Sequence, residues 1–242
     1  MNQCADELLL NLADRDQVLS VSFFVKDPQN SWDAHLAENI PANSGRIEEI
    51  TAFAPDLVLT GDFSSRSTVA LLHDLDFRVV EVAHPRSIAE IRQQIHRVAG
   101  ILGHPERGQA LVARMDETIS AHARPSPRSV AVYQPNGFTV GAGSLVNEII
   151  EAAGLRNVAA AGAMSGYAHY PLEMLLYDRP ELLIVDRQME DTRSLAHELL
   201  RHPALRSAFG GLRMVSMPPQ AWACGSHHVG RAVQILARAA YE

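Results

Sequence analysis

The chain has 242 residues, 47% of them apolar and 20% charged, and a formal net charge of -7. That length holds one large domain or two of about 100 to 120 residues each, and the composition excludes a disordered or low-complexity protein. A pI near 5.9 excludes a surface built to read nucleic-acid phosphates, and no apolar run reaches the roughly 18 residues of a membrane span.

The opening MNQCADELLLNLAD is broken by Asp6, Glu7 and Asn11 and so lacks the uninterrupted apolar region of a secretory signal. Residues 4 to 13 read as a helix that begins with acids, and QVLSVSFF as a strand. A loop with Pro28, Pro41 and Gly45 leaves room for a helix over 31–38. RIEEITAF then reads as a short helix, DLVLTG as a strand, SSRSTVALLHDL as a helix and FRVVEV as a strand. This alternation predicts a parallel sheet with helices on its faces.

From Pro85 to about Ala123 the pattern is helical, with one break at GHPER. PSP at 125–127 is a stop, after which alternation resumes. RSVAVYQP, ELLIVD and RMVSM read as strands, and SLVNEIIEAAG, PLEMLLYD, HELLRHPALRSAF and GRAVQILARAAYE as helices. The fold class is therefore α/β, with units over 1–84 and 128–242 flanking a helical connector over 85–127.

An internal echo supports two similar lobes. Glu48 leads EITAFAPDLVL and reaches Pro55 seven residues on; Glu173 leads EMLLYDRPELLIV and reaches Pro180 by the same step, 125 residues later.

With EEITAFAPDLVL, PLEMLLYDRPELLIV, NQCADELLLNLADRDQVLSVS and ARPSPRSVAVYQ in view, the whole chain resembles the substrate-binding proteins of ABC importers for ferric siderophores, cobalamin and haem. The resemblance implies two α/β lobes with mainly parallel sheets, a long connecting helix and a ligand cleft between the lobes. It implies a periplasmic, non-enzymatic monomer without a cofactor, which hands a small-molecule metal chelate, in first place a ferric siderophore, to an ABC permease dimer. No nucleic acid and no membrane insertion are expected. Relatives of this kind carry a short strand and an export signal ahead of the stretch that begins at Met1, so the first lobe is expected to lack that strand.

In such proteins an acid on each lobe docks onto permease arginines, and Glu48, with Glu49 beside it, and Glu173 match those positions. Two carboxylates on two lobes orient the protein and speed encounter; helix N-terminal acids also simply favour the helix dipole. The cleft of this architecture lies at the carboxyl ends of the strands. The residues expected there are Phe24, Phe63, Arg66, Tyr133, Tyr167, His169, Tyr170, Trp222 and His228, an aromatic lining with an arginine that suits a large, partly aromatic, anionic chelate.

GAGS at 141–144 lacks the third glycine of a dinucleotide motif, and no GxSxG, Walker A or HExxH sequence occurs. The stretch AWACGSHHVG leaves three readings open. A helix starting near Cys224 would put Cys224 and His228 on one face as a metal pair, with further ligands needed from elsewhere. Cys224 could instead be a small wall residue beside Trp222, or a nucleophile paired with a histidine. Cobalamin, haem, free zinc or manganese, and an enzyme or sensor on the same fold are the alternative functions.

Overall fold

The computed structural model describes residues 1–62, 64–186 and 213–241. The chain divides into two compact units: Met1–Pro85 with Ala89–Arg114 and Ala223–His227, and Arg86–Ile88 with Met115–Trp222 and His228–Glu242.

The first unit begins with helix α1 (Gln3–Leu12), whose start is set by Asn2: its side chain accepts from the backbone N–H groups of Cys4 and Ala5. Ala5, Leu8 and Leu12 form the helix's fully buried apolar stripe. Strand β1 is only Val21–Ser22, not the eight residues expected, because Phe23–Lys26 curl into a 3-10 turn. A second 3-10 turn, Ala34–Ala37, stands where a helix over 31–38 was expected. Strand β2 (Ala42–Asn43) pairs parallel with β1. Helix α2 (Ile47–Ala52), strand β3 (Val58–Gly61), helix α3 (Arg66–Asp74) and strand β4 (Val79–Val82) follow the predicted order, with β3 and β4 parallel.

The predicted break at GHPER is real. Helix α4 (Ile88–Leu102) ends at Gly103, whose φ of 85° is the left-handed conformation glycine favours, and His104 N–H bonds back to the Ala99 carbonyl. Pro105 then opens helix α5 (Pro105–His122) at the position where its missing N–H costs nothing. A Cβ on Gly108 would stand 2.6 Å from that of Ala99, so glycine is what lets α5 approach α4.

The second unit holds strands β5 (Ser129–Val132), β6 (Phe138–Val140), β7 (Arg156–Asn157), β8 (Tyr167–His169), β9 (Leu182–Asp186) and β10 (Arg213–Met217). β10, β9, β5 and β7 form one all-parallel sheet in that order. Every residue of β5 is buried, as are Leu182 to Val185 of β9, the continuous apolar run of a parallel strand covered on both faces. Among the described residues, helices α6 (Leu145–Ala152), α7 (Val158–Ala161), α8 (Leu172–Asp178) and α9 (Val229–Tyr241) also belong to this unit. β6 and β8, which pair antiparallel as a small ribbon, were not expected from the sequence. The predicted helix in HELLRHPALRSAF lies outside the described residues, as does Phe63.

The internal echo has a conformational counterpart. Ala54 and Arg179, 125 positions apart, have φ of 45° and 44°, and each immediately precedes the proline of its unit. Ile50 and Leu175 are buried at the matching point of α2 and α8.

Candidate functional site

In the first unit, the candidate side chains stand just past the carboxyl ends of parallel strands. After Ser22 the chain leaves β1 into a 3-10 turn, so Phe23 and Phe24 do not alternate across a strand. Both rings are about half exposed and lie against each other, with centroids 4.0 Å apart. Beyond β3, Asp62 accepts a hydrogen bond at 2.8 Å from the backbone N–H of His84, which follows β4. Partial removal from water pushes the His84 imidazole pKa down, while the Asp62 carboxylate pulls it the other way. Arg66 is exposed at the first position of α3, behind the Ser65 cap. Together these offer an aromatic surface, a guanidinium, a carboxylate and an imidazole at strand carboxyl ends, the ligand side of an open α/β sheet.

A cavity of about 370 Å³ occupies the opposite end of this unit, lined by Met1, Ser20, Asn43, Pro55, Leu57 and Arg78 among others. It lies at the amino ends of β3 and β4. Beside it the Met1 ammonium donates to the Leu59 carbonyl at 3.0 Å and pairs with Asp6 at 3.3 Å. Asp6 also accepts from Ser22 N–H at 2.6 Å, yet burial outweighs these partners and pushes its carboxyl pKa up.

The segment returning to this unit corrects the reading of AWACGSHHVG. Cys224 is bonded to Cys4 across 220 residues, with the Cα atoms 4.9 Å apart. Its sulfur is therefore neither a metal ligand nor a nucleophile, and the Cys224–His228 metal alternative falls. The helix begins at Val229, not near Cys224, which removes the i, i+4 geometry that alternative needed. In the same segment His227 Nε2 lies 4.0 Å from Asp33 Oδ2, and that carboxylate accepts from Asn11 at 2.9 Å.

In the second unit, the β6–β8 ribbon presents Phe138 opposite His169, their rings edge to face with centroids 5.9 Å apart. Tyr167, on the same face of β8 as His169, is 72% exposed. Tyr133 and Tyr170, expected at the ligand, are core residues at 0% exposure, packed with Val158, Leu175 and Leu183. Tyr133 follows β5 yet continues its ladder, its backbone N–H donating to the Ile184 carbonyl at 2.9 Å. Tyr170 donates to Asp178 at 2.6 Å. His228 is also buried, and Trp222 is half-buried at the end of a 3-10 turn. GAGS is a packed turn: Ser144 caps α6, accepting from Asn147 N–H and donating to the Gly141 carbonyl.

Residues 1–208 match the family model described as "Periplasmic binding protein". The chain belongs to that family. A cobalamin-binding protein of Halobacterium salinarum is 24% identical over 191 residues, which cover 76% of this chain and 52% of the relative. This periplasmic binding protein thus spans about half the length of the curated relatives it matches. Among solved structures, the periplasmic haem-binding protein RhuT from Roseiflexus sp. RS-1 superposes with a TM-score of 0.81 at 23% identity, covering 99% of this chain and 95% of its own. The haem-binding protein HutB of Vibrio cholerae gives 0.81 at 19% identity, with 99% and 96% covered. The vitamin B12-binding protein BtuF of Vibrio cholerae gives 0.72 at 18%, with 99% and 94% covered. The periplasmic binding protein shares their fold.

Phe23 as an exposed partner of Phe24, the Asp62–His84 contact and Phe138 were not expected from the sequence. Asp62 and His84 stand one and two residues past the ends of β3 and β4, a position legible in the strand pattern.

Proposed function

We propose that this periplasmic binding protein captures a large metal chelate and delivers it to an ABC importer permease, and that the chelate is a metallated tetrapyrrole of the cobalamin or haem kind. The observation that carries this reading is the pair of exposed aromatic surfaces at strand and ribbon ends, Phe23 with Phe24 in one unit and Phe138, Tyr167 and His169 in the other. Exposed aromatic faces favour a flat, unsaturated ligand by stacking, and the exposed His169 imidazole adds a nitrogen donor. The names of the relatives, cobalamin-binding and haem-binding, support a tetrapyrrole ahead of the ferric siderophore favoured by the sequence. The Cys4–Cys224 disulfide supports work in an oxidising compartment such as the periplasm.

Docking to the permease is assigned to Glu48 and Glu173. Both are exposed, and among the described residues neither carboxylate has a hydrogen-bond or ion-pair partner. Glu49 is committed locally, accepting from Ser44 and Arg46, which leaves Glu48 as the docking acid of its pair.

Quenching of Trp32 and Trp222 fluorescence during titration with cyanocobalamin, haemin and a ferric catecholate tests the cargo. Saturable one-to-one quenching by a tetrapyrrole is expected. Saturation by the ferric catecholate alone would replace the cargo, and saturation by none of the three would overturn the reading.

A further inference from the structure

Helix α8 is divided sharply between a buried and an exposed face. Leu175 is fully buried, and Leu172 and Leu176 pack against the same core. The other face carries Glu173, Met174 and Tyr177, and Arg179 caps the end of the helix after Asp178. Glu173 and Tyr177 are four positions apart and so stand one above the other on the helix surface. Tyr177 is 87% exposed and Met174 40%. Among the described residues no hydrogen bond or ion pair engages the Tyr177 hydroxyl or the Arg179 guanidinium.

The matching turn of the first unit shows what the fold itself requires. With the offset of 125 residues, Glu173 corresponds to Glu48, Leu175 to Ile50 and Pro180 to Pro55, whereas Tyr177 corresponds to Ala52 and Arg179 to Ala54. Ala54 adopts the same left-handed conformation as Arg179, with φ of 45° against 44°. Alanine therefore suffices for the helix and for the turn, and neither the tyrosine ring nor the guanidinium is needed to build them. A single exposed apolar residue needs no explanation. An almost fully exposed tyrosine between an acid and an arginine that have no partner among the described residues, at a turn whose twin carries alanines, does.

We infer that Tyr177 is the aromatic anchor of the permease-docking face on the second unit, with Glu173 and Arg179 as its charged flanks. This inference rests on the reading that Glu173 docks. The surface reads anion, aromatic ring, cation along the helix and its end. It fits a permease surface with a cation opposite Glu173, an acid opposite Arg179, and an arginine plane or aliphatic stem laid on the Tyr177 ring. Tyrosine suits such an anchor because it brings large area with only two side-chain torsions to immobilise, and it is enriched among the residues that dominate interface energetics. At the three equivalent positions the first unit offers its permease subunit the Glu48 carboxylate and two alanines, Ala52 and Ala54. The two docking faces are thus unequal, and the second binds more tightly.

The test measures binding of the full chain to its cognate permease in lipid nanodiscs by surface plasmon resonance. The parent is compared with Tyr177→Ala, Tyr177→Phe and Glu173→Arg, with thermal midpoints recorded in parallel. Tyr177→Ala is expected to weaken binding about tenfold or more, at an unchanged midpoint, while Tyr177→Phe keeps most of the affinity. Glu173→Arg is expected to weaken binding as well. Full binding by Tyr177→Ala together with a loss in Glu173→Arg would overturn this inference and leave the docking reading standing. Full binding by both would overturn the docking reading and this inference with it.

Discussion

Cys4, in the first turn of α1, and Cys224, in the segment Ala223–His227, are joined by a disulfide that closes a loop of 220 residues. A cross-link of that span removes unfolded-state entropy worth about 5 kcal/mol by the loop relation, of which about 2 to 4 kcal/mol is usually realised. Dithiothreitol, or the double substitution Cys4→Ser with Cys224→Ser, is expected to lower the unfolding free energy by that margin and the urea midpoint with it. An unchanged midpoint would show that the bond does not form in the purified chain.

The exposed aromatic residues separate binding from stability. Phe24→Ala and Tyr167→Ala are each expected to weaken tetrapyrrole binding about tenfold while changing stability by no more than about 0.5 kcal/mol. Calorimetric titration with cyanocobalamin and haemin, beside thermal melts, reads both quantities. Full affinity in the two variants would remove the aromatic surfaces from the site.

Tyr170 carries a pH dependence. Burial, and then its bond to Asp178, push its phenol well above the ordinary value of 10.0. Below about pH 10 the phenol is protonated in both folded and unfolded chains and its contribution is fully present. As pH rises further the unfolded chain releases the proton first, so this stability is lost toward the folded-state pKa. Tyr170→Phe is expected to cost about 1.5 to 3 kcal/mol at neutral pH, with a shallower decline above pH 10 than the parent. Urea midpoints from neutral to alkaline pH check this, and parallel curves would contradict it.

Two glycines of the turn after β6 should behave differently. A Cβ on Gly141 would stand 2.1 Å from the backbone oxygen of Met164, whereas one on Gly143 would meet nothing, although Gly143 has a φ of 69°. Gly143→Ala is expected to cost about 1 kcal/mol for its left-handed backbone, and Gly141→Ala clearly more, because backbone must move. Equal costs in denaturant melts would mean that this turn is not packed as described.

Much of the fold was legible because its signals are local. The Glu-led helix, proline turn and apolar strand that recur at 48 and 173 are set by short-range patterning, as is the Gly103–Pro105 break. What escaped depends on distant partners. β6 and β8 are three residues each and pair with each other across about 30 residues, and the pairing of Cys4 with Cys224 follows from tertiary approach across almost the whole chain. Strand ends misled in both directions. Phe23 leaves β1 early and is exposed, while Tyr133, just past β5, still belongs to the ladder and is buried. Sequence marks where a strand is near its end, and the neighbouring strand decides whether the next side chain meets ligand or core.

The central claim, capture of a metallated tetrapyrrole, is tested most directly by thermal unfolding of the chelator-treated chain with cyanocobalamin, haemin, ferric siderophores, Zn²⁺ and Mn²⁺. A ligand at about 100 times its Kd adds roughly 2.7 kcal/mol, a rise of several degrees. The account predicts that rise with cyanocobalamin or haemin and none with the free ions; a rise with a ferric siderophore alone, with a free ion alone, or with none of the ligands would contradict it.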